Sequence, residues 1–200
     1  MDLDDSNIGD DGLKSIFENL KSNSTLQSLC LSGNKITGNG TSLIFESLLS
    51  NSTLKKLNLD YNYIGTSIST FKYLSSNNSL TTLSLQKNYI NDNTATELFE
   101  EIKLNSTLTV LDLGYNKLGD YCAKSIGKAL KSNVTLTVLN IKNNKLSGDG
   151  AIEIFESLKF NSSLKVLNIS RNNIGKSRDV HNNVPQSIFN GLQYNNTLTA

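Results

Sequence analysis

The sequence predicts an α/β fold of one kind, a right-handed solenoid bent into a curved horseshoe, with parallel strands on the concave face and helices on the convex face. Three observations carry that expectation. The skeleton L-x-x-L-x-L-x-x-N-x-L, filled by Leu108, Leu111, Leu113, Asn116 and Leu118, occurs six times in 200 residues. The step is 28 residues from Leu26 to Leu54, from Leu80 to Leu108 and on through Leu136 to Leu164, with a short step of 26 after Leu54 and a long one of 34 after Leu164. Each skeleton is followed by apolar residues at helical spacing, and no Pro/Gly/Ser linker interrupts the series, which makes residues 1–200 a single domain.

The units run 1–25 (partial), 26–53, 54–79, 80–107, 108–135, 136–163 and 164–197, with a further one starting at 198–200. In the first, Leu3 and Ile8 match Leu31 and Ile36, and Leu13, Ile16, Phe17 and Leu20 fall on one helical face. Each full unit opens with an alternating x-L-x-L segment, short enough for a strand of about three to five residues, followed by Asn, an aliphatic residue and a turn. Helices are expected at Ser42–Leu49, Ser67–Leu74, Ala95–Leu104, Ala123–Leu130, Ala151–Leu158 and Gln186–Leu192. Pairs such as Ile44/Leu48, Leu98/Ile102 and Ile154/Leu158 sit at i and i+4 and face the strands. Asp10, Asp92, Asp120 and Asp149 lie where a helix N-terminus favours negative charge, and Lys21, Lys103, Lys131 and Lys159 lie near the other end.

Two rows of asparagine punctuate each unit. Asn34, Asn62, Asn88, Asn116, Asn144 and Asn172 follow the strand and are read as an inward ladder, since one amide can both donate to and accept from turning backbone. Asn23, Asn51, Asn105, Asn133 and Asn161 close the helices in Asn-x-Ser/Thr steps. They are read as left-handed caps with a hydroxyl that bonds local backbone, rather than as glycosylation sites. Strands stack at about 4.8 Å and helices at roughly 8 to 10 Å, so the strand side is the inside of the arc, with a strip of seven rungs about 30 Å long.

Residues 136–161, with the LxxLxLxxNxL start, the Gly148-Asp149-Gly150-Ala151 turn and the Ile154/Leu158 helix, resemble the ribonuclease-inhibitor type of leucine-rich repeat, and the resemblance extends over the whole chain. It implies a leucine-rich-repeat solenoid. It is weak for function, because similar repeats serve ribonuclease inhibitors, nucleotide-binding immune receptors and Ran GTPase-activating proteins. Ribonuclease inhibitors alternate Cys with Asn at the ladder position, whereas all six full units here carry Asn, so inhibition is not carried over. The GxxxxGK[ST] loop of the immune receptors is absent from the sequence.

Nothing in the sequence assembles a catalytic or cofactor site. The sole histidine, His181, is in a different unit from Cys30 and Cys122, and no H-E-x-x-H, Cys-x-x-Cys or phosphate loop is present. No cofactor, metal or small-molecule substrate is expected. Nineteen basic against eighteen acidic residues give a net charge of +1, without a global pull toward nucleic acid or membrane. No apolar window reaches the ~20 residues of a membrane span, and the two cysteines lie too far apart to pair. A cytoplasmic setting with reduced thiols is the expectation.

A protein partner is the remaining reading. Strand residues between the inward leucines point to the concave face and form rows. Val110, Val138 and Val166 make an apolar ridge, flanked by Asp112, Asn140 and Asn168, with Tyr61, Tyr115, Lys142 and Arg171 further along. Aromatic and Arg neighbours give a ridge the composition of an interaction hot spot, while valines are also simply good strand residues. The function expected is a non-catalytic interaction scaffold. The alternatives are regulation of a small GTPase and a recognition segment of a larger receptor; the incomplete first strand and the strand begun at Leu198 motivate the second. The insertion Lys176–Gln186, with Arg178 and His181, is either a contact loop or a tolerated surface insertion.

Overall fold

In the computed structural model the residues described are 1–66, 70–177 and 183–199. Among these residues six strands of three residues each, β1 (Ser28–Cys30), β2 (Lys56–Asn58), β3 (Thr82–Ser84), β4 (Val110–Asp112), β5 (Val138–Asn140) and β6 (Val166–Asn168), form one parallel sheet in chain order. Asp2 adds a parallel bridge to Cys30 beside β1, and Thr199 donates to the Lys165 carbonyl at 2.8 Å beside β6. The middle residue of each strand is a leucine facing the helices. Its two neighbours face the other way, half-buried except for the exposed Ser28 and Lys56.

Among the described residues six α-helices, α1 (Gly9–Leu20), α2 (Gly38–Leu48), α3 (Asp92–Leu104), α4 (Asp120–Ser132), α5 (Gly148–Leu158) and α6 (Val184–Tyr194), form the opposite layer, and the core is the column of Leu, Ile and Phe between the layers. The helices begin before the apolar periodicity does. Thr37, Asn91 and Ser147 cap α2, α3 and α5 with their side chains, so α2 starts at Gly38 rather than Ser42 and α3 at Asp92 rather than Ala95. The aspartates at the helix starts also reach into the next unit. The Asp10 carboxylate accepts the N–H (2.8 Å) and hydroxyl of Thr37, and Asp120 accepts the N–H (2.7 Å) and hydroxyl (2.6 Å) of Ser147.

The helix expected at Ser67–Leu74 does not form in the described part of that range. Residues 67–69 lie outside the described residues. Around them are a 3₁₀ turn, Ile64–Thr66, and a second, Leu74–Ser76, preceded by Tyr73 in the left-handed region at φ 79°. The segment Gly-Thr-Ser-Ile-Ser-Thr explains the failure: Ser and Thr offer the backbone competing hydrogen bonds, and Gly and β-branched residues cost helix stability. Phe71 fills the gap, fully buried with its ring centroid 5.8 Å from that of Phe45.

The Asn ladder forms as expected. Asn62 Oδ1 accepts the N–H groups of Asn34 (3.0 Å) and Ile36 (2.9 Å), and its Nδ2 donates to Leu31 and Leu59 carbonyls at 3.0 Å. The helix-closing asparagines work differently from the expectation. Asn105 (φ −71°, ψ 135°) and Asn133 (φ −78°, ψ 128°) are extended, not left-handed. They form a second ladder: Asn105 Oδ1 accepts from Thr107 and Leu108, while Nδ2 donates back to Leu74 and Asn77. Asn51, Asn105, Asn133 and Asn161 are buried in this role, so their sequons are structural.

Candidate protein-binding face and its tyrosine–lysine cleft

Strand pairing places the predicted rows side by side. Val110 pairs with Val138 and Val138 with Val166, all half-buried on the face away from the helices. In the adjoining row Asn140 Nδ2 donates to Asp112 Oδ1 at 2.9 Å, and Gln86 Nε2 donates to Asp112 Oδ2 at 3.0 Å. Asn168 is not drawn into this network; its side chain accepts instead from the Ser170 N–H and hydroxyl. Further along the N-terminal half of the strip, Asp60 Oδ1 accepts from the Ser84 hydroxyl and the Gln86 N–H, each at 2.7 Å. Burial pushes the Asp60 carboxyl up from its ordinary range, against those two bonds, with a further push from the charge on Asp112.

The backbone after each strand decides what happens at the rim. The residue before each ladder asparagine adopts the left-handed conformation, at φ 56° in Tyr61, 53° in Lys87, 59° in Tyr115, 53° in Asn143 and 56° in Arg171. The side chains before and after the asparagine therefore stand out from the ends of the strands. From the first full unit to the sixth these flanking pairs read Gly-Asn-Lys, Tyr-Asn-Tyr, Lys-Asn-Tyr, Tyr-Asn-Lys, Asn-Asn-Lys and Arg-Asn-Asn, and none contains an acid.

Tyr61 and Tyr115 are brought together through a residue not among the predicted site residues. Lys87 Nζ donates to the Tyr61 hydroxyl at 2.9 Å and lies 4.4 Å from the centre of the Tyr61 ring and 5.4 Å from that of Tyr115. The bond to Tyr61 holds the Lys87 ammonium somewhat above its usual range. Lys142 approaches Tyr115 from the other side at 5.9 Å, and Arg171 is exposed two rungs beyond. Next to this row, Tyr63 stacks on Tyr89 with centroids 5.8 Å apart, and Lys117 lies 4.8 Å from the Tyr89 ring. Tyr61, Tyr63, Lys87, Tyr89, Tyr115 and Lys117 line a cleft of about 390 Å³, and Lys142 and Arg171 lie outside its lining. Tyr63, Tyr89 and Lys117 follow the asparagine, where the strand rows stop, and reading the flanking pairs from unit to unit would have found them; Lys87 lies in the same row as Tyr61 and Tyr115 but was not singled out as a site residue.

The thiols are not activated. Burial pushes Cys122 far up, reinforced by Asp92, and partial burial with a bond to Asp4 raises Cys30. Asp2, Asp4 and Cys30 lie close enough to share a cation, with both carboxylates exposed. His181 and Arg178 lie outside the described residues. No helix among the described residues is long and apolar enough to cross a membrane.

The sequence profile of the Leucine Rich repeat family matches residues 2–17, 22–45, 50–68, 104–127, 132–155 and 160–177, well over half of the chain. The chain belongs to the leucine-rich repeat family. The profile passes over 69–103, where the short leucine-rich unit ends and the next begins, although β3 and α3 continue the solenoid there. No curated protein matches. Among solved structures the chain is similar to the actin-binding site 2 of leiomodin-1, at 19% identity and a TM-score of 0.55 over 90% of this chain and 87% of that one. It is also similar to the C-terminal domain of a Caenorhabditis elegans tropomodulin, at 13% identity and a TM-score of 0.55 over 91% and 92%. At these identities the likeness is one of fold.

Proposed function

We propose that this leucine-rich repeat protein is a non-catalytic interaction scaffold that binds a protein partner on its concave strand face. The observation that carries the reading is the in-register row Val110, Val138 and Val166, an apolar strip held half-open beside the Asp112–Asn140 pair. Side chains on three rigid rungs lose little freedom on binding, which favours recognition by a preorganised surface. Tyr61, Tyr115, Asn168, Lys142 and Arg171 extend the surface toward its polar rim, the arrangement in which an apolar centre is shielded by polar contacts.

The test is Val138→Asp, which puts a charge at the middle of the strip without touching the leucine column. Immobilised wild-type and variant chains are compared for the partners they retain, with purified actin as one defined arm because the leiomodin-1 neighbour is named for an actin-binding site. The expected outcome is loss of the captured partner with an unchanged circular-dichroism melt. Full retention by the variant would remove the strand face from the proposal.

A further inference from the structure

We infer that the cleft between the Tyr61–Lys87–Tyr115 row and the Tyr63–Tyr89–Lys117 row seats an acidic, extended segment of a protein partner. This rests on the reading of the neighbouring strand face as a protein-binding surface, and adds the chemistry of the segment bound at its rim.

Charge is the first argument. The chain is almost neutral overall at +1, yet the residues flanking the ladder asparagines of the six full units include lysines and an arginine and not one carboxylate. Segregation of one sign on one rim of a balanced protein is what favours an oppositely charged ligand. The strand-row carboxylates of the units that line the cleft are engaged: Asp60 with Ser84 and Gln86, Asp112 with Gln86 and Asn140.

Preorganisation is the second. Lys87 is held by the Tyr61 hydroxyl at 2.9 Å and by two rings, so its ammonium is placed before a ligand arrives. One of its three N–H groups goes to Tyr61, and an ammonium can still donate to a carboxylate. Lys117, beside Tyr89, supplies a second cation on the opposite row of the same cleft. The rings give a ligand's methylene groups an apolar wall while the ammonium groups meet its charge.

Size and ring placement select the ligand class. About 390 Å³ accommodates a few side chains of an extended segment, not a folded domain. A single-stranded nucleic acid would need aromatic faces on which bases stack. Here each ring already has a lysine or another tyrosine against it: Lys87 on Tyr61, Lys87 and Lys142 near Tyr115, and Tyr63 on Tyr89. The arrangement leaves cationic heads and phenol hydroxyls as recognition groups, which suits aspartate and glutamate side chains.

The experiment is fluorescence anisotropy with the full chain and three labelled probes: an alternating Glu–Ala peptide, the matched Lys–Ala peptide and an oligothymidylate. The Glu–Ala peptide is expected to bind, to weaken as salt rises, and to lose at least about tenfold in affinity with Lys87→Glu combined with Lys117→Glu. Lys87→Gln, which removes the charge and shortens the side chain by one atom while keeping an N–H donor, is expected to lose part of that affinity, and a circular-dichroism melt of each variant separates binding loss from unfolding. Equal binding of the two peptides, an unchanged double variant, or tighter binding of the oligothymidylate would overturn the inference. If the Glu–Ala peptide fails while Val138→Asp still loses a captured partner, the acidic-segment inference falls and the strand-face scaffold stands. If the peptide behaves as expected while Val138→Asp retains its partner, the strand-face reading falls instead.

Discussion

The unit 54–79 and the regular unit 108–135 share a strand side and differ on the helical side. In both, the strand pairs with the next in the same register, Lys56 to Thr82 and Val110 to Val138. The regular unit then builds the thirteen-residue α4, whereas the described residues of the short one form 3₁₀ turns and bury Phe71. A two-residue deletion is therefore absorbed on the convex side, where spacing is loose, and not in the ladder of strands, where a one-residue slip would turn the leucines outward. The cost appears at the join. Asn116 Oδ1 accepts the N–H groups of Asn88 and Ile90, but Asn88 Oδ1 is buried without a partner among the described residues. The Tyr63–Tyr89 stack spans the same join, so the irregular unit is also where the cleft opens.

The largest effect that can break this comparison is at the ladder itself. Asn62→Ala strips acceptors from two buried N–H groups, and a loss of roughly 3 kcal/mol is expected from desolvated donors. Asn88→Ala removes donor bonds but orphans no N–H through Oδ1, so its loss should be smaller, about 1 to 2 kcal/mol. Urea unfolding followed by circular dichroism measures both; equal losses would mean that the break at the short unit has no energetic consequence.

A second contrast uses two glycines at one repeat position. A Cβ on Gly65 would sit 2.2 Å from the Tyr89 carbonyl oxygen and 2.6 Å from the Ile90 Cα, whereas one on Gly175 meets nothing within 4 Å. Gly65→Ala is expected to cost about 2 kcal/mol, because the obstacle is backbone, and Gly175→Ala to stay within roughly 0.5 kcal/mol. Melts of the two variants side by side provide the check.

The smallest effect is electrostatic and has a definite sign. Asp60, in the short unit, has its carboxyl raised chiefly by burial, so the folded chain holds that proton more tightly than the unfolded chain. Its contribution therefore turns less favourable as pH rises from the ordinary carboxylate range through the raised value. Asp60→Asn keeps an acceptor for Ser84 and Gln86 and removes this dependence. Relative to wild type the variant should gain, by less than about 1 kcal/mol, between mildly acidic and neutral pH. A wild-type advantage that grows with pH would reverse the assignment.

Much of this was legible in the chain. The leucines at fixed spacing set strand register, since a period of two leaves one way to bury Leu57, Leu83 and Leu111 together, and the strand rows of Val110, Val138 and Val166 follow from it. The inward asparagines were equally readable, because turning backbone beside a core must be paired. Helix starts were read late, since the first turn is fixed by caps such as Thr37 and Ser147 and not by apolar period. The absence of an α-helix in the described part of 70–76 was hidden because Phe71 and Leu74 mimic an apolar face.

The sequence by itself determined the solenoid, its strand rows and its asparagine ladder, because each depends on contacts repeated at one period. Tertiary structure alone decided the cleft. Lys87 meets Tyr61 from 26 residues away, and Tyr115 joins them only because successive turns all place the preceding residue in the left-handed region. Repeat spacing lines Tyr61, Lys87 and Tyr115 up in one row but does not predict the contacts among them. These arise from stacking the turns, where residues of unlike type in adjacent units become neighbours.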